Sequence, residues 1–573
     1  MLHSIAEAVQ QHAQQRPERV ALEFEGRAIS YAELAAQAER FARALAAWSV
    51  GPGDRVALFL ENCPEFVTAY LGTHLAGGIV VLVNTQYREV ELRHIMTDAG
   101  VRLCVTDAAG AEELARLAPT GAEPQASEGG APQASERTEP RASTGRPYAS
   151  EMSQLETLVI VGDGAIRLPS PPRRRAAGGE DTPHPRRVAY ADFLAGGEAS
   201  AISTPALPEL EAPAILAYTS GTTGRAKGAL LSHRNLTANI AAVTSAWHWT
   251  DRDRLLLVLP LFHAHGLMVG LHGTLYTGAS AVLRRHFDAA KVLDTLRDDP
   301  AISMFFGVPT MYARLLAEAE RRASGDHQGG ASRPLRLFVS GSAPLSAQVF
   351  ADFERVFGQR ILERYGMTET IMNLTNPYDG ERRAGTVGGP FPGQEARVVG
   401  VASGEPGVYR TPLPPGAIGE IEVRGPNVFG GYWNRPDATA EAFSADGWFK
   451  TGDLGWVSED GYFTITGRAR ELIISGGYNV YPREVEDVLA QHPAVAEVAV
   501  LGLPDADLGE RVVAVVVPRA GQEPPAEDLI AYCRERLASY KKPRRVVFAA
   551  GLPRNALGKV QKHLLAARLQ PES

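Results

Sequence analysis

The chain has little cysteine. Its three residues of that type, Cys63, Cys104 and Cys533, lie far apart with no C-x-x-C spacing. That argues against a disulfide framework or a zinc site, and it fits a reducing, cytoplasmic compartment. Long apolar runs are absent too. The most apolar stretch, LLLVLPLF (Leu255 to Phe262), is short and is followed by His263 and His265, so it cannot span a bilayer. The opening MLHSIAEAVQQHAQQRPERVAL has no apolar segment of the kind a secretory signal needs. No long basic run offsets the net charge of -8, so nucleic acid is not an expected partner. The one arginine cluster, PPRRRAAGG (Pro171 to Gly179), sits among proline and glycine and reads as a solvated loop.

What is present is an α/β enzyme-like pattern. A length of 573 residues allows about three to four domains, or one large domain with a satellite. Up to about residue 107, amphipathic helices such as YAELAAQAERFARALAAW alternate with strand-like runs such as DRVALFL and GIVVLVN. Residues 108–153 repeat an Ala-Ser-Glu-like unit with Pro and Gly, and lack the apolar residues to offset their ordering entropy. They read as a loose insertion, and residues 168–188 as a second one. Alternation resumes from 189 to about 465 with RLLLVLP, AVLRR, ISMFFGVP and LRLFVSG, followed by a β region containing GQEARVVG and GEIEVRG. The last hundred residues read β-α-β again and form a small domain with its own core.

One polar segment cannot pack a core: AYTSGTTGRAKG, Ala217 to Gly228. It fails as a Walker A loop, because Ala226 stands where glycine is required and Gly228 where the magnesium-binding hydroxyl belongs. The loop physics survives the failed match. Glycines let backbone N–H groups converge and hydroxyls add donors, which suits a phosphate chain. AILAY before it reads as a strand. The run from Gly228 to Trp247 reads as a helix starting near Ser232 or Asn235, so the expected carrier is strand, loop, helix.

Five further motifs follow in order: SGSAPL (Ser340 to Leu345), RYGMTET (Arg364 to Thr370), GWFKTGDLG (Gly447 to Gly455), GRARELIISGGYNVYPREVE (Gly467 to Glu486) and LPRNALGKVQK (Leu552 to Lys562). Together they resemble the adenylate-forming superfamily of acyl-CoA synthetases, luciferases and adenylation domains, over nearly the whole chain outside the two loose stretches. The resemblance implies an α/β fold. Residues 1–469 would form a large domain of layered α/β sheets with a β-barrel-like part, and residues 470–573 a small mobile α+β domain. It also implies an acid–thiol ligation in which a carboxylate attacks the α-phosphate of ATP and coenzyme A then displaces AMP.

Roles carry over residue by residue. Thr219, Ser220, Gly221, Thr222, Thr223, Gly224 and Lys227 would hold the β- and γ-phosphates. Thr368 would touch the α-phosphate, and Glu369 would hold Mg2+. Tyr365 would stack on adenine beside Gly341, Ser342, Ala343 and Pro344, with Gly366 and Met367 completing the nucleotide site. Asp453 would accept the ribose hydroxyls and Arg468 would approach ribose and phosphates. Lys559 would reach the α-phosphate and the attacking carboxylate. Arg470 would be the hinge, where relatives usually have Asp or Lys. Ser475, Gly476 and Gly477 would guide coenzyme A after rotation.

Where amino-acid adenylation domains carry an Asp after Phe, PLFHAHGL has His263, expected here among the catalytic and substrate-carboxylate residues. No carrier segment is seen after residue 573, which disfavours a peptide synthetase module. HAHGL, LRLFVSGSAPL and RYGMTETIMNLTNPYDGERRAGTVGGP are similar to malonyl-CoA synthetases. A dicarboxylate needs a cation for its second charge, and Arg336 matches the malonate-binding arginine of that group. A medium- or long-chain fatty acyl-CoA synthetase and a non-catalytic nucleotide-binding protein remain the alternatives. Against the latter, Lys227, Glu369, Asp453, Arg468 and Lys559 are all present.

Overall fold

The computed structural model describes residues 2–117, 155–162, 185–198, 207–219, 226–323, 334–400, 411–476, 478–505, 507–522, 524–555 and 558–569. Short apolar runs such as Leu255–Leu257, Met304–Gly307 and Leu337–Ser340 are buried on both faces, as parallel strands covered by helices must be. They join a nine-stranded sheet among the described residues. A second, eight-stranded sheet carries Arg55–Phe59, Ile79–Leu82, Leu103–Asp107 and Pro213–Thr219. Helices fill the space between the sheets. In Tyr31–Ala47, Ser30 caps the first turn, and Leu34, Ala38, Phe41, Ala42 and Leu45 form the buried stripe.

Met304–Gly307, Leu337–Ser340 and Leu362–Tyr365 run parallel to one another, so their C-terminal ends share one edge. The segments at 308–310, 341–346 and 366–370 converge there, which is where open α/β sheets bind ligands. The barrel-like part is a four-stranded antiparallel sheet of Glu395–Val399, Gly419–Arg424, Phe449–Val457 and Phe463–Arg468. A five-stranded sheet between Ile473 and Phe548 packs Val512 and Val516 against Val485, Leu489, Leu529 and Cys533 of two helices, forming a separate core. No described helix is long and apolar enough to cross a membrane.

Three expectations change. The run after the glycine loop begins as a strand, Lys227–Ser232, which forms an antiparallel hairpin with Pro213–Thr219. The helix starts only at His233, where Ser232 and Asn235 make a reciprocal capping box. Residues 108–115 are a helix capped by Asp107 rather than loose chain, because Ala111 and Leu114 have a core to reach. Residues 186–189 form an edge strand beside Thr157–Val161. The remainder of both supposed insertions lies almost wholly outside the described residues.

Candidate active site

The hairpin places Thr219 opposite Lys227, at the two stems of the glycine loop. Ser220, Gly221, Thr222, Thr223 and Gly224 lie outside the described residues. The His94 Nε2–H donates to the Ala226 carbonyl at 2.7 Å and fixes the loop's exit. Thr219 Oγ1 donates to Glu369 Oε1 at 3.4 Å, and the Tyr432 hydroxyl donates to the same oxygen at 3.0 Å. Lys227 Nζ stands 5.3 Å above the Tyr432 ring. Glu369 is 5% exposed and forms no ion pair among the described residues. Its burial raises its pKa. A buried carboxylate met only by neutral hydroxyls suits one ligand of a hard cation. Among the described residues no group of three acidic, His or Cys side chains is placed to hold a metal ion; Mg2+ needs few protein ligands when phosphates and water supply the rest.

A cavity of about 460 Å³ opens at the shared strand edge, lined by Ser342, Ala343, Pro344, Tyr365, Gly366, Asp453, Arg468 and Lys559. Asp453 and Arg468 are cross-strand partners, with Arg468 Nε 2.7 Å from Asp453 Oδ1. The Tyr365 hydroxyl donates to the other carboxylate oxygen. Arg468 also donates to the Thr451 carbonyl at 3.2 Å. Met367 and Thr368 are half-buried in the turn that follows Gly366. That turn passes so close to Ile371 that a Cβ on Gly366 would lie 2.0 Å from its carbonyl oxygen.

Lys559 is brought to this cavity. Its loop is held by Asn555, whose Oδ1 accepts from the Lys559 N–H at 2.9 Å. Gly558 has φ +74°, and its Cβ position lies 2.7 Å from Thr310 Oγ1, so the loop seats against the start of helix Pro309–Ala323. Lys559 remains exposed to the water of the cavity while protein crowds it on the other sides. That crowding lowers its pKa, and the nearby Arg468 charge lowers it further. Ser475 and Gly476 do not line the cavity, and Gly477 lies outside the described residues. Arg470 sits in the one-turn helix Ala469–Glu471, directly after Arg468.

Arg336 is not among the residues that line this cavity. It precedes the strand Leu337–Ser340, whose far end leads into the 341–346 loop, about 16 Å away at strand spacing. Its Nε and Nη2 lie 2.8 and 3.1 Å from the two oxygens of Asp253, and Nη1 donates to the Trp247 carbonyl at 2.7 Å. This guanidinium is occupied by the fold, and it does not line the cavity.

Arg364, inside RYGMTET, does line the cavity, as Arg468 does, but without an ion-pair partner among the described residues. It is 3% exposed, and its Nε and Nη2 lack hydrogen-bond partners among them. Burial pushes its pKa down to about 9. Gly341 makes the placement possible: a Cβ there would lie 2.5 Å from the Arg364 Cζ. His263 and His265 stand in its field. Burial, then the Arg364 charge, brings His263 down to about 4 and His265 well below its ordinary value, so both are neutral at physiological pH. His265 Nδ1 is 3.4 Å from Ser342 Oγ and begins a π-wound stretch, His265–Leu271, a distortion frequent at functional sites. The sequence signal that could have marked Arg364 was its place at the head of RYGMTET, directly before the turn that carries Thr368 and Glu369.

Residues 9–433 match the model of the AMP-binding enzyme, and residues 484–559 that of the AMP-binding enzyme C-terminal domain. The chain is 33% identical to the malonate–CoA ligase of Arabidopsis thaliana, over 96% of this chain and 86% of that protein. It is 32% identical to the long-chain-fatty-acid–CoA ligase of Bacillus subtilis, over 96% of this chain and 91% of that one. The ATP-bound structure of MatB from Rhodopseudomonas palustris superimposes with a TM-score of 0.81 at 34% identity, covering 100% of this chain and 99% of that chain.

Proposed function

Because the chain belongs to the AMP-binding enzyme family and is an AMP-forming acid–CoA ligase, we propose that its acid is malonate. The observation that carries this reading is Arg364. A buried, unpaired guanidinium costs free energy unless an anion completes it, and a monocarboxylate has no second charge to offer once its only carboxylate faces ATP. Malonate does. Arg364 holds the distal carboxylate, with neutral His263 and His265 beside it. The near carboxylate then points toward the nucleotide.

In the first step one malonate oxygen attacks the α-phosphorus of ATP and diphosphate leaves. Lys559 draws the two anions together and stabilises the charge that builds on the phosphoryl oxygens. The glycine loop and Lys227 hold the β- and γ-phosphates. Asp453 accepts the ribose hydroxyls, Tyr365 flanks adenine, and Thr368 contacts the α-phosphate. Glu369 would hold Mg2+, which offsets phosphate charge when bound. In the second step the coenzyme A thiolate attacks the acyl carbonyl and AMP leaves, giving malonyl-CoA. For that step the unit from 470 to 573 rotates about Arg470, withdraws Lys559 and brings Ser475, Gly476 and Gly477 forward.

The test is a pair of acids. Arg364→Ala should lower kcat/KM for malonate by roughly thirty-fold to several thousand-fold, the cost of about 2–5 kcal/mol for breaking a buried charge pair. Butyrate and octanoate should be unaffected or improved. A wild type that prefers octanoate, or equal losses with all acids, would remove malonate and leave the ligase chemistry standing.

A further inference from the structure

Glu363 is a buried carboxyl that the steps above leave unused. Side chains alternate along Leu362–Tyr365, so Glu363 points away from Arg364. Its Oε1 accepts from the Leu345 N–H at 2.9 Å and so ties down the end of the Ser340–Leu345 nucleotide loop. Its Oε2 is buried without a hydrogen-bond partner. The residue lines the cavity opposite Arg483, Glu486 and Asp487 of helix Pro482–Ala490, which belongs to the five-stranded unit that carries Lys559. Arg483 is spent on Asp487, with Nε 2.9 Å from Oδ1. The neighbouring strands Leu337–Ser340 and Leu374–Thr375 and the loop 341–346 bring no charge.

We propose that Glu363 is a positioning residue that couples the nucleotide loop to the C-terminal unit, favouring the Lys559-inserted arrangement when protonated and its release when ionised. The coupling rests on the reading that Lys559 serves the first step and withdraws for the second. Burial lifts the Glu363 pKa to about 7; the Leu345 N–H and Arg483 pull it down less, and Asp487 pushes it up. Because helix Pro482–Ala490 walls the same cavity, its withdrawal would, on this proposal, admit water to the carboxyl and let the pKa fall toward the ordinary 4.5. A group whose pKa is higher in the inserted arrangement favours that arrangement at low pH. The preference is complete below the lower value and lost as pH rises through the higher one. Between pH 8 and 5.5 the ratio of inserted to released molecules should therefore rise by up to about thirty-fold.

The orientation can be read without substrates. Cys63, Cys104 and Cys533 are buried, so a dye pair on Val90→Cys and Phe548→Cys, positions 79% and 44% exposed, reports the separation of the two parts. Wild-type energy transfer should titrate between pH 8 and 5.5. Glu363→Gln keeps an oxygen for the Leu345 N–H but cannot ionise, and should stay flat at the low-pH value. The same variant at pH 7.5 should retain adenylate formation and slow thioester formation. A Glu363→Gln protein that titrates like wild type, or a wild type that does not titrate, overturns the proposal. A titration abolished by Glu363→Gln without any split of the half-reactions keeps the coupling and removes the Lys559 reading instead.

Discussion

Arg336 and Arg364 carry the same side chain to opposite ends of the sheet, and their surroundings decide what each can do. Truncating Arg336 leaves Asp253, 5% exposed, without its guanidinium. Arg336→Ala should thus lower stability by roughly 3 kcal/mol while leaving the malonate-to-butyrate ratio unchanged. Thermal melts and the two assays check this, and a selective loss with malonate would return the arginine to the substrate site. Lys559→Ala should abolish adenylate formation yet leave thioester formation from supplied malonyl-AMP largely intact. Equal loss in both half-reactions would contradict an action confined to one arrangement. At this scale the motifs were legible because Tyr365, Asp453, Arg468 and Lys559 sit in them, and the structure gathers all four at one cavity. The choice between the arginines was not legible. A sequence places Arg336 on the strand that leads to Ser340–Leu345 but does not say that Asp253 and the Trp247 carbonyl take its guanidinium away from the cavity.

Elements were legible where periodicity was long. The helix Tyr31–Ala47 and the β-α-β order after residue 470 follow from spacing alone. The hairpin beyond the glycine loop was not, because GALLS is equally apolar as a strand or a first helical turn; pairing with Pro213–Thr219 settles it. The loop that carries Lys559 is the element most exposed to a single change. Gly558 combines positive φ with a Cβ position that would meet Thr310 at 2.7 Å. Gly558→Ala should therefore unseat the loop and cut adenylate formation at least ten-fold, since small misplacements of a positioned group are costly. Melting temperature should hardly move, because the loop is peripheral to the core. A variant with wild-type adenylation would mean the loop does not need this seat.

At the scale of the whole molecule, five histidines are held neutral by burial. His74, His272 and His263 fall to about 3, 3 and 4, His233 to about 2, and His265 lies well below its ordinary value. Tyr70, His74, His233 and His272 touch one another in the core, with the Tyr70 hydroxyl 2.8 Å from His272 Nε2. The histidines bind protons more readily when unfolded. Stability is untouched above the ordinary value near 6.5 and falls as pH drops below it, by about 1 kcal/mol per histidine per pH unit. Melting should occur markedly earlier at pH 5.5 than at pH 7.5, and His74→Gln should flatten that slope; a pH-independent melt would contradict the account. The same scale gives the pairing of Asp453 with Arg468 a mechanical meaning. Arg468 ends its strand and the turn Ala469–Glu471 begins at the next residue. If the chain pivots at Arg470 and Asp453 holds the ribose as proposed, the axle is bolted to the ribose clamp. The nucleotide then stays put while the C-terminal unit turns around it, and the acyl adenylate need not be handed from one station to another.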